Sequence, residues 1–310
     1  MSEHSRCFLL SLGNRIFVSY MRIQTILLVC CCAWMSCEKD ITVDLPQGEP
    51  QTVIEGTIVN DEYPEVILTR SFSYFSHISV DQLKDAFVHN AVITVSDGNS
   101  TMQLKEFSKD TTNRVKWYYY TADTTQPAAF KGKLNKSYTL RVAVDDQTFN
   151  AVTTIPGAGM VIDSTWSTIY SKDPTLARLW ARITDPQERG NYVRYRTARN
   201  GGVYRPGINS TIDDQIVNGT SFNTQLDAGH DRTQEINFDT YGYFKRGDSV
   251  NVEFSNIDKA TFDFWRSLDL AYASNGNVFA SPIQVRGNIS GALGYWGGYG
   301  ARRLNVKIRK

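Results

Sequence analysis

Cys37 is the residue of this chain whose setting most directly implies covalent chemistry. Arg22 precedes an apolar run from Ile23 to Trp34, small Ser36 follows, and after Cys37 the composition turns polar. A charged start, an apolar middle and a small residue at the cut are the order of a secretory signal peptide. Cleavage between Ser36 and Cys37 leaves the cysteine as first residue of the mature chain, with a thiol free to carry a lipid. A membrane-spanning helix needs roughly 20 apolar residues, and this run stops short of that. Met21, directly before Arg22, makes a better signal start than Met1, which is followed by Glu3, His4, Arg6 and Arg15. The sequence therefore predicts upstream residues plus a signal peptide over 1–36, with Met21 as the true start. Met35-Ser36-Cys37 resembles a bacterial lipobox, from which Trp34 departs, since an aliphatic residue is usual there.

Other chemistries find little support. The cysteines are Cys7, Cys30, Cys31, Cys32 and Cys37. None follows Cys37, so the body has no disulfide, thiolate metal site or cysteine nucleophile, which suits an oxidising compartment. His77, His89 and His230 stand far apart, without HxH or HExxH spacing, and read as surface or loop histidines. Asp213-Asp214 and Asp227 with Asp231 lie in a Gly- and Asn-rich region but form no DxDxDG loop. A structural or adventitious calcium is the minor reading there, and no metal is expected. Gly157-Ala158-Gly159 and Gly298-Tyr299-Gly300 lack the third glycine of a nucleotide fingerprint. Ser290 sits in no GxSxG elbow. Paired carboxylates for glycoside hydrolysis depend on the fold, and no pair stands out. No catalytic residue or cofactor is expected, and the chain reads as non-enzymatic. Arg246-Gly247-Asp248 reads as a turn.

The remaining candidate is aromatic. Tyr295, Trp296 and Tyr299 stand beside Gly297, Gly298 and Gly300. Exposed, they would form a stacking platform for a sugar or peptide, or a contact for a membrane partner. The competing and favoured reading is a tight turn whose rings pack against a helix carrying Trp265. Tyr118, Tyr119 and Tyr120 pose the same question, because alternate strand residues face opposite ways.

The elements that must position these groups are mostly strands. Residues 37–50, punctuated by Pro46, Gly48 and Pro50, read as a lipidated tether. From 51 to 156 the pattern has period two, with Tyr138, Leu140, Val142 and Val144 on one face and Asp97-Gly98 as a turn. Strands are predicted over 52–59, 65–71, 91–96, 101–107, 115–121 and 147–155. Pro156-Gly157-Ala158-Gly159 marks a boundary. Beyond it strands are expected over 161–170, 176–183, 191–198, 236–244 and 250–254, with a last one carrying Leu304, Val306 and Ile308. Residues 200–229 read as a long loop or irregular hairpin. A helix over 258–273 places Thr261, Trp265, Leu268 and Tyr272 in one stripe, capped by Asn256 or Asp258 and ended by Gly276. The expected fold is mostly β: two β-sandwich-like (immunoglobulin-like) domains, 51–156 and 160–310, with one helix packed on the second. The whole chain is 41% hydrophobic with a formal net charge of +1, so the body reads as an ordinary globular one, and nucleic-acid binding has no electrostatic footing.

Several segments in fixed order carry a resemblance. They are Glu38-Lys39-Asp40 after the lipobox, Val53-Ile54-Glu55-Gly56, Val66-Ile67-Leu68-Thr69-Arg70-Ser71, Tyr74-Phe75-Ser76 and Ala91-Val92-Ile93-Thr94-Val95-Ser96-Asp97-Gly98. Asp185-Pro186 with Gly190-Asn191-Tyr192 follows, then Asn277-Val278-Phe279, Gly287-Asn288-Ile289 and Gly291-Ala292-Leu293-Gly294-Tyr295. The chain resembles the Bacteroidetes lipoproteins grouped as domain of unknown function 4249. The resemblance implies an outer-membrane lipoprotein, held by its lipid anchor and facing either the periplasm or the surface. It also implies an accessory role beside a TonB-dependent receptor in nutrient uptake, and no catalytic residues. The rival readings are a surface lipoprotein that binds a glycan, peptide or siderophore, and a hydrolase whose carboxylates meet only in the fold.

Overall fold

The computed structural model describes residues 49–72, 80–110, 116–274, 281 and 283–309, the side chains of 80 and 81 excepted. The signal, Ser36, Cys37, the tether up to residue 48, Tyr74-Phe75-Ser76, His77, Gly276 and Asn277-Val278-Phe279 lie outside the described residues. Glu49–Lys310 forms one compact unit. Within the described residues, no helix is long and apolar enough to cross a membrane.

The chain is mostly β. The first half holds β1 (Thr52–Val59), β2 (Glu65–Arg70), a short helix α1 (Val80–Asp85), β3 (Val92–Ser96), β4 (Thr101–Asp110), β5 (Lys116–Ala122), β6 (Lys136–Val144) and β7 (Gln147–Ile155). Period-two patterning decides which face is buried. On β6, Tyr138, Leu140, Val142 and Val144 point inward while Thr139 and Arg141 are exposed. Asp97-Gly98 makes the β3–β4 turn, with Gly98 at φ +88° and Asp97 Oδ1 accepting from the Asn99 and Ser100 amides at 2.9 and 2.8 Å. An Asx-type turn of this kind favours these two residue types.

The second half holds β8 (Val161–Ile169), β9 (Leu176–Thr184), β10 (Tyr192–Arg199), β11 (Thr211–Asp213), β12 (Ser221–Leu226), β13 (Phe244–Lys245), β14 (Ser249–Ile257), α2 (Lys259–Ser274) and β15 (Leu293–Lys307). One 11-stranded sheet runs β11-β10-β14-β15-β1-β2-β5-β4-β3-β6-β7. It crosses from one half to the other where β15 pairs parallel with β1, Ile54 opposite Gly294 and Ile58 opposite Gly298. β7, at the far end of that order, returns to lie against β15. The first-half sheet therefore rolls round its own core of Ile54, Ile58, Ile93, Tyr138, Leu140 and Trp296. A second, four-stranded sheet of β12, β9, β13 and β8 faces β10 and β14. Leu179, Ile183, Val193, Val252, Phe244 and Phe254 fill the space between, giving a sandwich. Helix α2 covers the opposite side of the larger sheet through Phe262, Phe264, Tyr295 and Tyr299.

Three expectations change. Residues 236–243 form successive turns, and only Phe244–Lys245 is strand. Asn237 Oδ1 accepts the Asp239 amide, Thr240 N donates to Asn237 O, and Gly242 has φ +78°. Apolar alternation there is overridden by side chains that compete for the backbone. The 200–229 stretch, expected as a long loop or irregular hairpin, contains two short strands that pair outside it, β11 with β10 and β12 with β9. The stripe of α2 is also rotated: Thr261, Phe262, Phe264, Ser267 and Asp269 are buried, whereas Tyr272 is exposed. Asp258 is the cap, its Oδ1 accepting the Thr261 amide at 2.8 Å.

Candidate ligand-binding face

The aromatic-glycine segment is not an exposed platform. It lies in the first half of β15, and Tyr295, Trp296 and Tyr299 are 5%, 0% and 9% exposed. Its two faces serve two cores. Trp296 enters the rolled first-half core, while Tyr295 stacks on Phe264 of α2 at 4.2 Å between centroids. Tyr299 accepts the Trp265 indole N–H at 2.7 Å. The glycines are there for a crossing: a Cβ on Gly298 would sit 2.6 Å from Thr154 O, and one on Gly300 2.6 Å from Pro156 O. The predicted turn is thus a strand over which the end of β7 passes. Tyr120 faces the first-half core, and Tyr119 stacks instead on Phe107 across the strand pair.

The exposed aromatic face lies elsewhere, on the outer side of the four-stranded sheet. On β9 the odd residues Ala177, Leu179, Ala181 and Ile183 are buried inward, which turns Arg178 and Trp180 outward. Strand pairing sets Trp166 of β8 directly opposite Trp180. Their rings are nearly parallel, 11° apart with centroids at 6.4 Å, and Trp166 is 37% exposed. The Trp180 indole N–H donates to Thr168 Oγ1 at 3.0 Å, which fixes the ring. Four residues after Trp166, about 13 Å along an extended strand, Tyr170 stacks on Tyr243 at 4.3 Å. The Arg178 guanidinium lies 5.8 and 5.1 Å from those two ring centroids and donates to Tyr243 Oη at 2.6 Å. Flat rings and a planar cation on rigid strands form a surface suited to stacking.

Beside this face is a polar cavity of about 350 Å³ lined by Tyr195, Asn209, Thr211, Thr224, Gln225, Asp227 and Tyr241, among others. Gln225 of β12 is the Cα partner of Trp180, so the cavity wall and the aromatic face share a strand pair. Gln225 Nε2 donates to Asp227 Oδ1 at 2.8 Å, and Tyr241 Oη donates to Asp227 Oδ2 at 3.2 Å. Gly242 fits beneath: a Cβ there would meet Asp227 Oδ1 at 2.8 Å. Burial pushes the Asp227 carboxyl up, against the opposing pull of Tyr241, Gln225 and Arg178. Burial, and after it the Asp227 charge, raises both the Tyr195 and Tyr241 phenols.

Thr211 is 5% exposed, and its Oγ1 is buried with no hydrogen-bond partner among the described residues. Among the described residues the Asp227 carboxyl accepts two hydrogen bonds of roughly four that its oxygens can take, so binding capacity is left there. A cavity so lined can bind hydroxyl groups as both donor and acceptor. Asp227 is the one acid among the lining residues, whereas glycoside hydrolysis uses two facing carboxyls.

The other predicted residues are spoken for locally. His89 pairs with Glu106, and His230 Nε2 meets Gln234 O at 2.9 Å. Asp231 pairs with Arg205. Asp248 of the Arg-Gly-Asp turn is 8% exposed, and its carboxylate accepts the Lys245 amide and the Asn200 amide group at 3.0 and 2.8 Å. Among the described residues, no three His, Cys, Asp or Glu side chains gather as a metal site. Trp166 and Trp180 escape sequence reasoning because they stand on different strands, and only the register joins them.

A family model for a domain of unknown function, DUF4249, matches residues 38–304. No curated protein matches the chain.

Proposed function

We propose that this chain, which belongs to the DUF4249 family, is a non-enzymatic outer-membrane lipoprotein that captures a glycan for a TonB-dependent receptor. The observation that carries the ligand class is the Trp166–Trp180 pair beside the Gln225–Asp227 cavity. The apolar face of a sugar ring stacks on indole, while hydroxyl groups need the mixed donors and acceptors that Gln225, Asp227 and Tyr241 offer. The single acid in the cavity supports binding in preference to hydrolysis.

The anchor rests on Cys37 and the apolar segment before it. One acyl chain binds a membrane only marginally, so stable anchoring takes more than one. The receptor partnership rests on the family resemblance. A glycan array probed with the purified protein and with Trp180→Ala tests the ligand. Binding lost in the variant supports this reading, and no glycan bound by either protein overturns it. Mass spectrometry of the membrane-extracted protein tests the anchor, with an acylated amino-terminal Cys37 expected. Co-purification in mild detergent at native expression tests the partner, and recovery of the protein alone counts against it.

A further inference from the structure

The loops 185–191 and 213–220 close on each other at the end of the second sandwich. The Asp185 amide donates to Thr220 O at 3.0 Å, and its Oδ2 accepts the Gly219 amide at 3.0 Å. Asp214 Oδ2 accepts the Gly190 and Asn191 amides at 2.6 and 2.9 Å. Asn218 Nδ2 reaches across to Gln187 O at 3.1 Å. Asp185 and Asp214 are 3% and 6% exposed.

Two oxygens in this junction are buried and accept nothing among the described residues: Asp185 Oδ1 and Asn218 Oδ1. An amide oxygen can only accept, and a buried acceptor without a donor costs about 1–3 kcal/mol. Burial, with the charge of Asp214 as a further cause, raises the Asp185 carboxyl. Neither aspartate has a Lys or Arg partner among the described residues. Two buried acids without a cation, and two oxygens without a donor, are what a hard divalent ion would complete.

We propose that this junction binds one calcium ion, with Asp185 Oδ1 and Asn218 Oδ1 as ligands and the Asp214 carboxylate beside them. Calcium takes six to eight oxygens in flexible geometry and accepts amide and backbone carbonyl oxygens, whereas magnesium demands a tight octahedron and keeps its waters. With only two carboxylates the site belongs at the weak, extracellular end of the range, with dissociation constants of about 10⁻⁴–10⁻³ M. The ion ties the 213–220 loop to the end of β9. That loop runs into β12, which carries Gln225, so calcium stiffens one wall of the cavity. The proposal stands independently of what the cavity binds.

The test is calorimetric titration of the chelator-stripped full chain with calcium chloride, paired with thermal unfolding in calcium, magnesium or chelator. One calcium per chain is expected. A melting point about 3 °C higher is expected at roughly tenfold excess over the dissociation constant, with no comparable rise in magnesium. Asp185→Asn should lose the calcium-dependent rise yet melt no lower than the native protein in chelator, because an unpaired buried charge is gone. Asn218→Asp should tighten calcium binding and melt lower in chelator. Absence of calcium binding overturns the proposal, as does a calcium response unchanged in Asp185→Asn. So does a proton shared between Asp185 and Asn218, which would appear as stability falling with rising pH and indifferent to calcium.

Discussion

The indole N–H of Trp296 donates to the backbone carbonyl of Tyr138 at 2.9 Å, joining residues 158 positions apart. The ring is fully buried, and a Cβ on Gly56 would lie 2.6 Å from its Cε3. β15 thus supplies a fully buried side chain to a core built mainly from the first half. Trp296→Ala should cost about 3–5 kcal/mol by the cavity it leaves. Gly56→Ala should cost about 1–3 kcal/mol by overpacking. Denaturant midpoints check both, and a Trp296→Ala protein as stable as the native one would refute the packing account.

Asp258 does more than start a helix. Its Oδ1 caps α2 through the Thr261 amide, while Oδ2 accepts Thr153 Oγ1 at 2.7 Å and the Thr154 amide at 2.9 Å. A simple cap is worth about 1 kcal/mol. Asp258→Ala also strands two donors at the end of β7, so a loss of about 2–3 kcal/mol is expected. Asp258→Asn keeps the acceptor for the cap and should recover part of that loss in thermal melts.

Trp166→Ala and Arg178→Ala should each lower stability by only about 1 kcal/mol, the worth of a cross-strand stack or a half-exposed cation–π contact on the outer face of the sheet. Each should weaken glycan binding by roughly 5–10-fold, equivalent to about 1–1.5 kcal/mol of stacking or cation–π contact. Titration against the best array ligand reads this directly. Equal affinity in all variants would place the binding surface elsewhere.

The parts of the fold legible in the sequence are those where local pattern and burial agree. β1, β7 and most of β6 follow period-two alternation, and α2 starts where Asp258 allows. Legibility ends where long-range geometry decides. Gly298 and Gly300 look like turn residues until β7 is seen passing over β15. Trp166 and Trp180 look like unrelated aromatics until the β8–β9 register sets them face to face. Phe238, read as part of a strand, is 77% exposed in a run of turns. Thr211 opens β11 and Asp227 follows the end of β12, and no spacing links them.

Two aspartates should give opposite pH signatures. Asp97 is held at about 2, below the usual 3.8, chiefly by its 2.6 Å hydrogen bond to Lys136. Its folded form binds fewer protons than the unfolded chain, so its contribution is present above pH 3.8 and is lost as pH falls towards about 2. Asp97→Asn should therefore flatten the acid limb of stability, by at most about 1 kcal/mol once solvent screening is counted. Asp227 has the reverse sign. Its carboxyl is raised by burial, so its contribution is complete below the ordinary aspartate value and is lost as pH rises through the raised one. Asp227→Asn should remove that decline and melt no lower than the native protein at neutral pH, since the amide oxygen can still accept from Tyr241 and the Gln225 amide can turn its oxygen to accept from the new NH2. Melting temperatures of both variants from pH 2 to 8 decide the matter. Parallel curves for Asp227→Asn and the native protein would mean that the cavity is wetter, and its acid more ordinary, than its burial implies.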